Sequence, residues 1–157
     1  MNFNKLKILD LSHNKISDIN ILEKVNFKEL KELYFCKNKI SDIKVLEKVN
    51  FKVLNKLELS GNKITNINIF ENADFQELKE LYLRDNKITN INVIEKANFI
   101  KLNILDLSFN RISDIKVFKK VNFKNLKELD LGFNNIDEKD NSSNLKYLKS
   151  ISKNVFY

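Results

Sequence analysis

One register governs the chain. From Leu6, a leucine recurs every 24 residues, at Leu30, Leu54, Leu78, Leu102 and Leu126, with no insertion between them. Three positions on stand Leu9, Leu33, Leu57, Leu81, Leu105 and Leu129, and five positions on stand Leu11, Phe35, Leu59, Leu83, Leu107 and Leu131. Eight positions on, every unit carries asparagine (Asn14, Asn38, Asn62, Asn86, Asn110, Asn134), and ten on, isoleucine (Ile16, Ile40, Ile64, Ile88, Ile112, Ile136). LxxLxLxxNxI is thus written six times in strict register. A fixed period of this length is the mark of an array of small stacked units, each touching only its neighbours.

The pattern within a unit says what is stacked. Leu9 and Leu11 alternate with a period of two, so both point to one side of a short strand. Ile19, Leu22 and Val25 are spaced by three, as on one face of a helical turn, and Phe27 follows. Each unit therefore holds a strand and a turn whose apolar sides it cannot bury alone, and stacking buries both in one core. The asparagine belongs where the chain leaves the strand, and its amide can satisfy backbone groups that the turn orphans. Six stacked asparagines are expected to form a buried ladder. Phe27, Phe51, Phe75, Phe99 and Phe123, each three residues before the next unit's first leucine, are expected to stack as an aromatic spine.

Units such as Leu6-Lys-Ile-Leu-Asp-Leu-Ser-His-Asn-Lys-Ile16 resemble the leucine-rich repeat family. The continuation Ile-Ser-Asp-Ile at Ile16–Ile19, Ile40–Ile43 and Ile112–Ile115 looks like its internalin-type and phosphatase-regulator-type subclass. The resemblance implies an α/β chain folded as a right-handed solenoid, or horseshoe, with a concave parallel sheet and short helical turns on the convex side. It also implies a non-catalytic module that binds a protein partner on the concave sheet, with no cofactor and no metal.

One repeat domain is expected over 1–157: residues 1–5 as the remnant of a preceding unit, 6–136 as six units, and 137–157 as a linker and cap. Phe3 lies 24 residues before Phe27, which places it in that remnant. The edge of the first strand is then open, either to a longer array or to self-association with another copy. At the other end Asp137–Ser143 reads as a polar linker. Leu145, Leu148, Ile151 and Val155 read as the apolar face of a capping helix over 143–154, with Ser142 or Ser143 as N-cap. The alternative is a degenerate seventh unit opening at Leu145-x-x-Leu148.

Composition narrows the chemistry. One histidine (His13), one cysteine (Cys36) and two glycines (Gly61, Gly132) leave no room for a four-ligand zinc site, a disulfide framework or a glycine-rich phosphate loop. The longest apolar run, Leu33–Cys36, is far short of the ~20 residues that span a bilayer, so no transmembrane segment is expected. Met-Asn-Phe-Asn-Lys lacks the apolar core of a secretory signal, and the expected location is cytoplasmic.

The net charge of +7 raises the question of an anionic partner, and the register answers it by position. Residues between the core leucines face the concave surface. Their two columns (Ile8, Glu32, Lys56, Glu80, Ile104, Glu128; and Asp10, Tyr34, Glu58, Tyr82, Asp106, Asp130) hold seven acids against one base. The positive charge lies elsewhere, in the row Lys15, Lys39, Lys63, Lys87 and Arg111 and on the helical side. An acidic face with interspersed aromatics suits a protein partner carrying basic side chains, through Tyr34, Glu58, Tyr82, Arg84, Asp106, Phe109, Asp130 and Phe133. Nucleic acid or an anionic surface held by the basic row is the alternative, and nucleic acid is not the expected ligand.

Overall fold

The computed structural model describes residues 3–121, 123–151 and 154–157. Each Leu-x-Leu segment forms a three-residue strand: β1 (Ile8–Asp10), β2 (Glu32–Tyr34), β3 (Lys56–Glu58), β4 (Glu80–Tyr82), β5 (Ile104–Asp106) and β6 (Glu128–Asp130). They pair in parallel, in chain order, with Leu9, Leu33, Leu57, Leu81, Leu105 and Leu129 in one line. The result is the α/β solenoid, with one open sheet on its concave side. The side chains alternate as the pleat requires: Leu33, Leu57, Leu105 and Leu129 are fully buried, and their neighbours on either side are half-buried.

The spacing of three on the convex side is that of a 3-10 helix, which completes a turn every three residues. Single 3-10 turns occupy Asn20–Lys24, Lys44–Glu47, Asn68–Glu71, Asn92–Glu95 and Lys116–Lys119. The Asp or Asn of each Ile-x-Asp/Asn-Ile segment starts the turn. Asp18, Asp42, Asn66, Asn90 and Asp114 each accept a hydrogen bond from the N–H two residues on, at 2.8–2.9 Å.

Between the two sides runs the asparagine ladder. Asn62 Nδ2 donates to the carbonyls of Phe35 in the previous unit (2.9 Å) and Leu59 in its own (3.0 Å), while Oδ1 accepts from Ile40 N–H (3.0 Å). Asn38, Asn86 and Asn110 repeat this pattern and are buried. The burial is not uniform: Asn134 is half-buried, and Asn14 is exposed and donates only to Leu11 and Ser12 of its own unit. The aromatic spine is also interrupted. Phe3, Phe27, Phe51 and Phe75 stack with centroids 6.1–6.4 Å apart, but Phe70 then inserts between Phe75 and Phe99 at a tilt. Phe70 stands where three other units have Leu22, Leu46 and Ile94, and its larger ring reaches into the spine, as Phe118 at the same position does against Phe123.

The C-terminal segment departs from expectation in two ways. Glu138–Ile151 is one α-helix, α1, so Asp137–Ser143 is not a linker. Asp137 starts it, accepting from the N–H groups of Lys139 and Asp140, and neither Ser142 nor Ser143 is the cap. Leu145 and Leu148 bury against the last convex turn, whereas the side chain of Ile151 lies outside the described residues. Val155 is not on the helix. It belongs to a seventh strand, β7 (Asn154–Phe156), paired in parallel with β6 so that Val155 continues the line of leucines after Leu129. The intervening unit is 26 residues long, which hid this strand from the 24-residue register. Asn141, in a formal glycosylation sequon, is buried and donates to the carbonyls of Asp137 and Ser113. Among the described residues no helix is long and apolar enough to cross a membrane.

Candidate functional site

The concave face is built from the strands and the turn that ends each of them. To leave the strand, the residue before each ladder asparagine adopts a left-handed backbone: His13, Lys37, Asp85, Phe109 and Phe133 have φ of 51–57°, and Gly61 has 67°. In this conformation each of the first five turns keeps its N–H on the next unit, as in Phe109 N–H to Gly132 O at 2.8 Å. Only glycine adopts it without a steric cost, and an L-residue gives up about 1–2 kcal/mol. Phenylalanine is an especially poor choice there. The asparagine ladder therefore does not make these turns alone; the backbone absorbs strain at five of the six.

Phe109 and Phe133 occupy the last two of these turns. Their rings stack at 4.1 Å between centroids and 24° between planes, and Phe133 is 75% exposed. On the other side of Phe109 the Arg84 guanidinium lies 4.0 Å from the ring centre, fixed by a hydrogen bond from Nη1 to Ser108 Oγ (3.0 Å). Ser108 Oγ in turn donates to Asp106 Oδ1 (2.6 Å). Four of the predicted contact residues, Arg84, Asp106, Phe109 and Phe133, thus form one connected group.

Tyr34 and Tyr82 form another, around a residue not among those predicted. The Lys56 ammonium lies 5.6 Å from the centre of the Tyr34 ring and 5.0 Å from that of Tyr82, and pairs with Glu80 at 2.9 Å. Each phenol donates to the glutamate two residues before it, Tyr34 to Glu32 and Tyr82 to Glu80. Burial, then the Glu32 bond, pushes the Tyr34 phenol up to about 12, and burial followed by Glu80 pushes Tyr82 up as well. Lys56 could have been found in sequence as the single base of the two columns.

Glu58 and Asp130 join neither group. Like Asp10 and Asp106, each turns a carboxylate oxygen back onto the N–H two residues on, Glu58 to Ser60 and Asp130 to Gly132 at 2.8 Å. These acids fix the turns and keep a second oxygen for other partners. Phe156, 53% exposed and in register with Asp130, extends the face and was missed with its strand. Cys36 is half-buried, and burial followed by the charge of Glu58 pushes its thiol up, away from the reactive thiolate.

Elsewhere among the described residues the one further cation–π pair is Lys149 with Tyr157, at 4.8 Å, on the C-terminal segment. A cleft of about 330 Å³ between convex turns, lined by Asp42, Lys44, Glu47, Asn66 and Asn68, lies opposite the concave acids. Among the described residues no cluster of His, Cys, Asp or Glu is arranged to hold a metal ion. Several convex lysines are paired across units: Lys48 with Glu23, Lys96 with Glu71, Lys101 with Glu77 and Lys120 with Glu95.

A register-locked parallel sheet, a ladder of asparagines and one short convex turn per unit define a class of repeat solenoid. The family model for leucine-rich repeats, in two copies, matches residues 4–48 and 100–147, and the chain belongs to the leucine-rich repeat family. Among solved structures it is similar to internalin C2 of Listeria monocytogenes, at 26% identity and a TM-score of 0.70 over 86% of this chain and 56% of that one. The internalin InlF of the same organism matches at 27% identity and a TM-score of 0.71, over 98% of this chain and 48% of that one. The chain thus spans about half the length of these relatives and shares their internalin-type repeat. No curated protein matches it. Folds of this kind generally serve as non-catalytic interaction modules, and the similarities point to a protein-interaction role here.

Proposed function

We propose that this chain binds a partner protein on its concave face, that the partner presents basic side chains there, and that no reaction is catalysed and no cofactor is required. The observation that carries this reading is the separation of charge. In a chain of net charge +7, the concave columns of β1 to β6 hold seven acids, and their one base, Lys56, is already taken up by Glu80 and two tyrosines. A partner's lysine or arginine meets an acidic field that steers it in, and rings that supply contact area. The contacts are Tyr34, Glu58, Tyr82, Arg84, Asp106, Phe109, Asp130 and Phe133.

A random peptide library selected on the wild-type chain tests this. The enriched peptides should be rich in lysine and arginine, and should lose binding to the double variant Tyr82→Ala plus Asp106→Lys, whose folding is checked by circular dichroism. Peptides that bind the folded double variant as well as the wild type would place the site on another face.

A second reading rests on Lys15, Lys39, Lys63, Lys87 and Arg111. These five cations are exposed, in consecutive units, and outside the ion pairs found among the described residues. Such a row suits phosphate or sulfate groups, and heparin retention that collapses with added salt would favour it. The pairing of the convex lysines with glutamates leaves less free positive charge behind that row, and ranks this reading second.

A further inference from the structure

We infer that the outer face of Phe133 is a docking position for an arginine of the partner, completing a stack of which Arg84, Phe109 and Phe133 are the first three layers. The inference deepens the concave-face reading and rests on it. Phe109 is covered on both sides, by the Arg84 guanidinium at 4.0 Å and by the Phe133 ring at 4.1 Å. Phe133 is covered on one side only and remains 75% exposed. An exposed ring in a left-handed turn carries a steric cost that glycine would remove, and Gly61, at the same register position in the third unit, shows that glycine does occur in this turn. An aromatic kept at such a position gives nothing to the core; it offers a rigid flat surface to something outside the chain.

The occupant follows from charge and shape. Asp130, three residues from Phe133, spends one carboxylate oxygen on Gly132 N–H, and Asp106 and Glu128 stand beside it in the sheet register. An acidic surround selects a cation. The chain itself displays both ways of holding one. The tyrosine cradle takes an ammonium, Lys56, at 5.0–5.6 Å from ring centres, whereas the phenylalanine stack takes the planar guanidinium of Arg84 at 4.0 Å. A flat, open ring continuing the second arrangement favours arginine over lysine, because guanidinium stacks face to face and ammonium does not.

Peptides selected on the wild-type chain should therefore contain arginine. Replacing that arginine by lysine should weaken binding on the order of tenfold, and so should Phe133→Leu, which keeps an apolar side chain but removes the ring. Phe133→Gly, which removes the ring and relieves the backbone, should weaken it equally without loss of folding. Peptides that ignore Phe133→Leu or the arginine-to-lysine change, yet are lost on Tyr82→Ala plus Asp106→Lys, would overturn the arginine position and leave the concave-face reading standing. Peptides indifferent to all these changes would overturn both, and so would a selection in which no basic peptide is enriched. Concentration-dependent dimerisation abolished by Phe133→Gly would show instead that a second copy occupies the ring.

Discussion

On the N-terminal half of the concave face, the rings of Tyr34 and Tyr82 hold the chain's own Lys56, and their phenols and Glu80 close the group with internal bonds. On the C-terminal half, Phe109 and Phe133 stand in strained turns, and the stack they make with Arg84 ends on an open ring. Both halves rest on the same strands and the same asparagines. The tyrosines of the first group stand at relaxed strand positions with their electrostatic needs met internally; the phenylalanines of the second stand in left-handed turns, a steric cost shared with His13, Lys37 and Asp85 but joined here to exposed rings. Under the proposed concave-face binding, the second group is the expected anchor, because binding energy clusters at a few rigid, well-placed side chains.

If the halves differ only above the sheet, removing what lies beneath must hurt them alike. Asn62→Ala orphans the Ile40 N–H and removes one of the two amide donors on each of the Phe35 and Leu59 carbonyls, which keep Asn38 and Asn86; Asn110→Ala does the same to Ile88, Leu83 and Leu107. With one buried N–H orphaned at about 1–3 kcal/mol and two further hydrogen bonds lost at about 0.5–1.5 kcal/mol each, either change should cost roughly 2–6 kcal/mol in urea unfolding. The two costs should agree within about 1 kcal/mol. A loss below about 1 kcal/mol at either site would mean that the ladder is not supporting the turn.

A smaller effect isolates the strain. At ordinary positions alanine is more stable than glycine by about 0.5–1 kcal/mol, but in a left-handed turn the order reverses. Phe133→Gly should therefore be more stable than Phe133→Ala by about 1 kcal/mol, which for a chain of this size is a few degrees in Tm. The same pair at Tyr82, a strand position, should show the ordinary order. Alanine above glycine at 133 would show that this turn relaxes in solution, and would remove the contrast between the halves.

The strain marks the boundary of what the primary structure discloses. Leucine spacing locates β1 to β6, the concave columns and the asparagine ladder, because each is a repeated local pattern. A left-handed turn announces itself through glycine, and five of six units have another residue there, so the strained turns carried no signal. Asp137 caps α1 one position earlier in the register than Asp114 starts its turn, and Val155 follows a 26-residue unit, so both fell outside the period. The acids were legible as a column, but not the return of Glu58 and Asp130 onto their own turns. Nor was Lys56 legible inside the tyrosine cradle, because that depends on where a long flexible side chain settles.

The cradle makes its own prediction, the smallest in energy and the most specific. Tyr34 is held up at about 12 from an ordinary 10.0, first by burial and then by its bond to Glu32, with the charges of Glu32, Glu80 and Asp10 adding to the effect. Between pH 10 and 12 the unfolded chain has lost this proton and the folded chain retains it. The native state therefore binds more protons in that window, and the stability Tyr34 contributes, complete below about pH 10, is lost as pH rises through 12. Absorbance near ~295 nm, recorded as the difference between wild type and Tyr34→Phe, isolates one phenol. Its midpoint should lie close to 12 while circular dichroism still reports a folded sheet. A midpoint near 10 would mean that the phenol and Lys56 are free in solution. The N-terminal half would then be as open as the C-terminal one, and binding would have no structural reason to concentrate at Phe133.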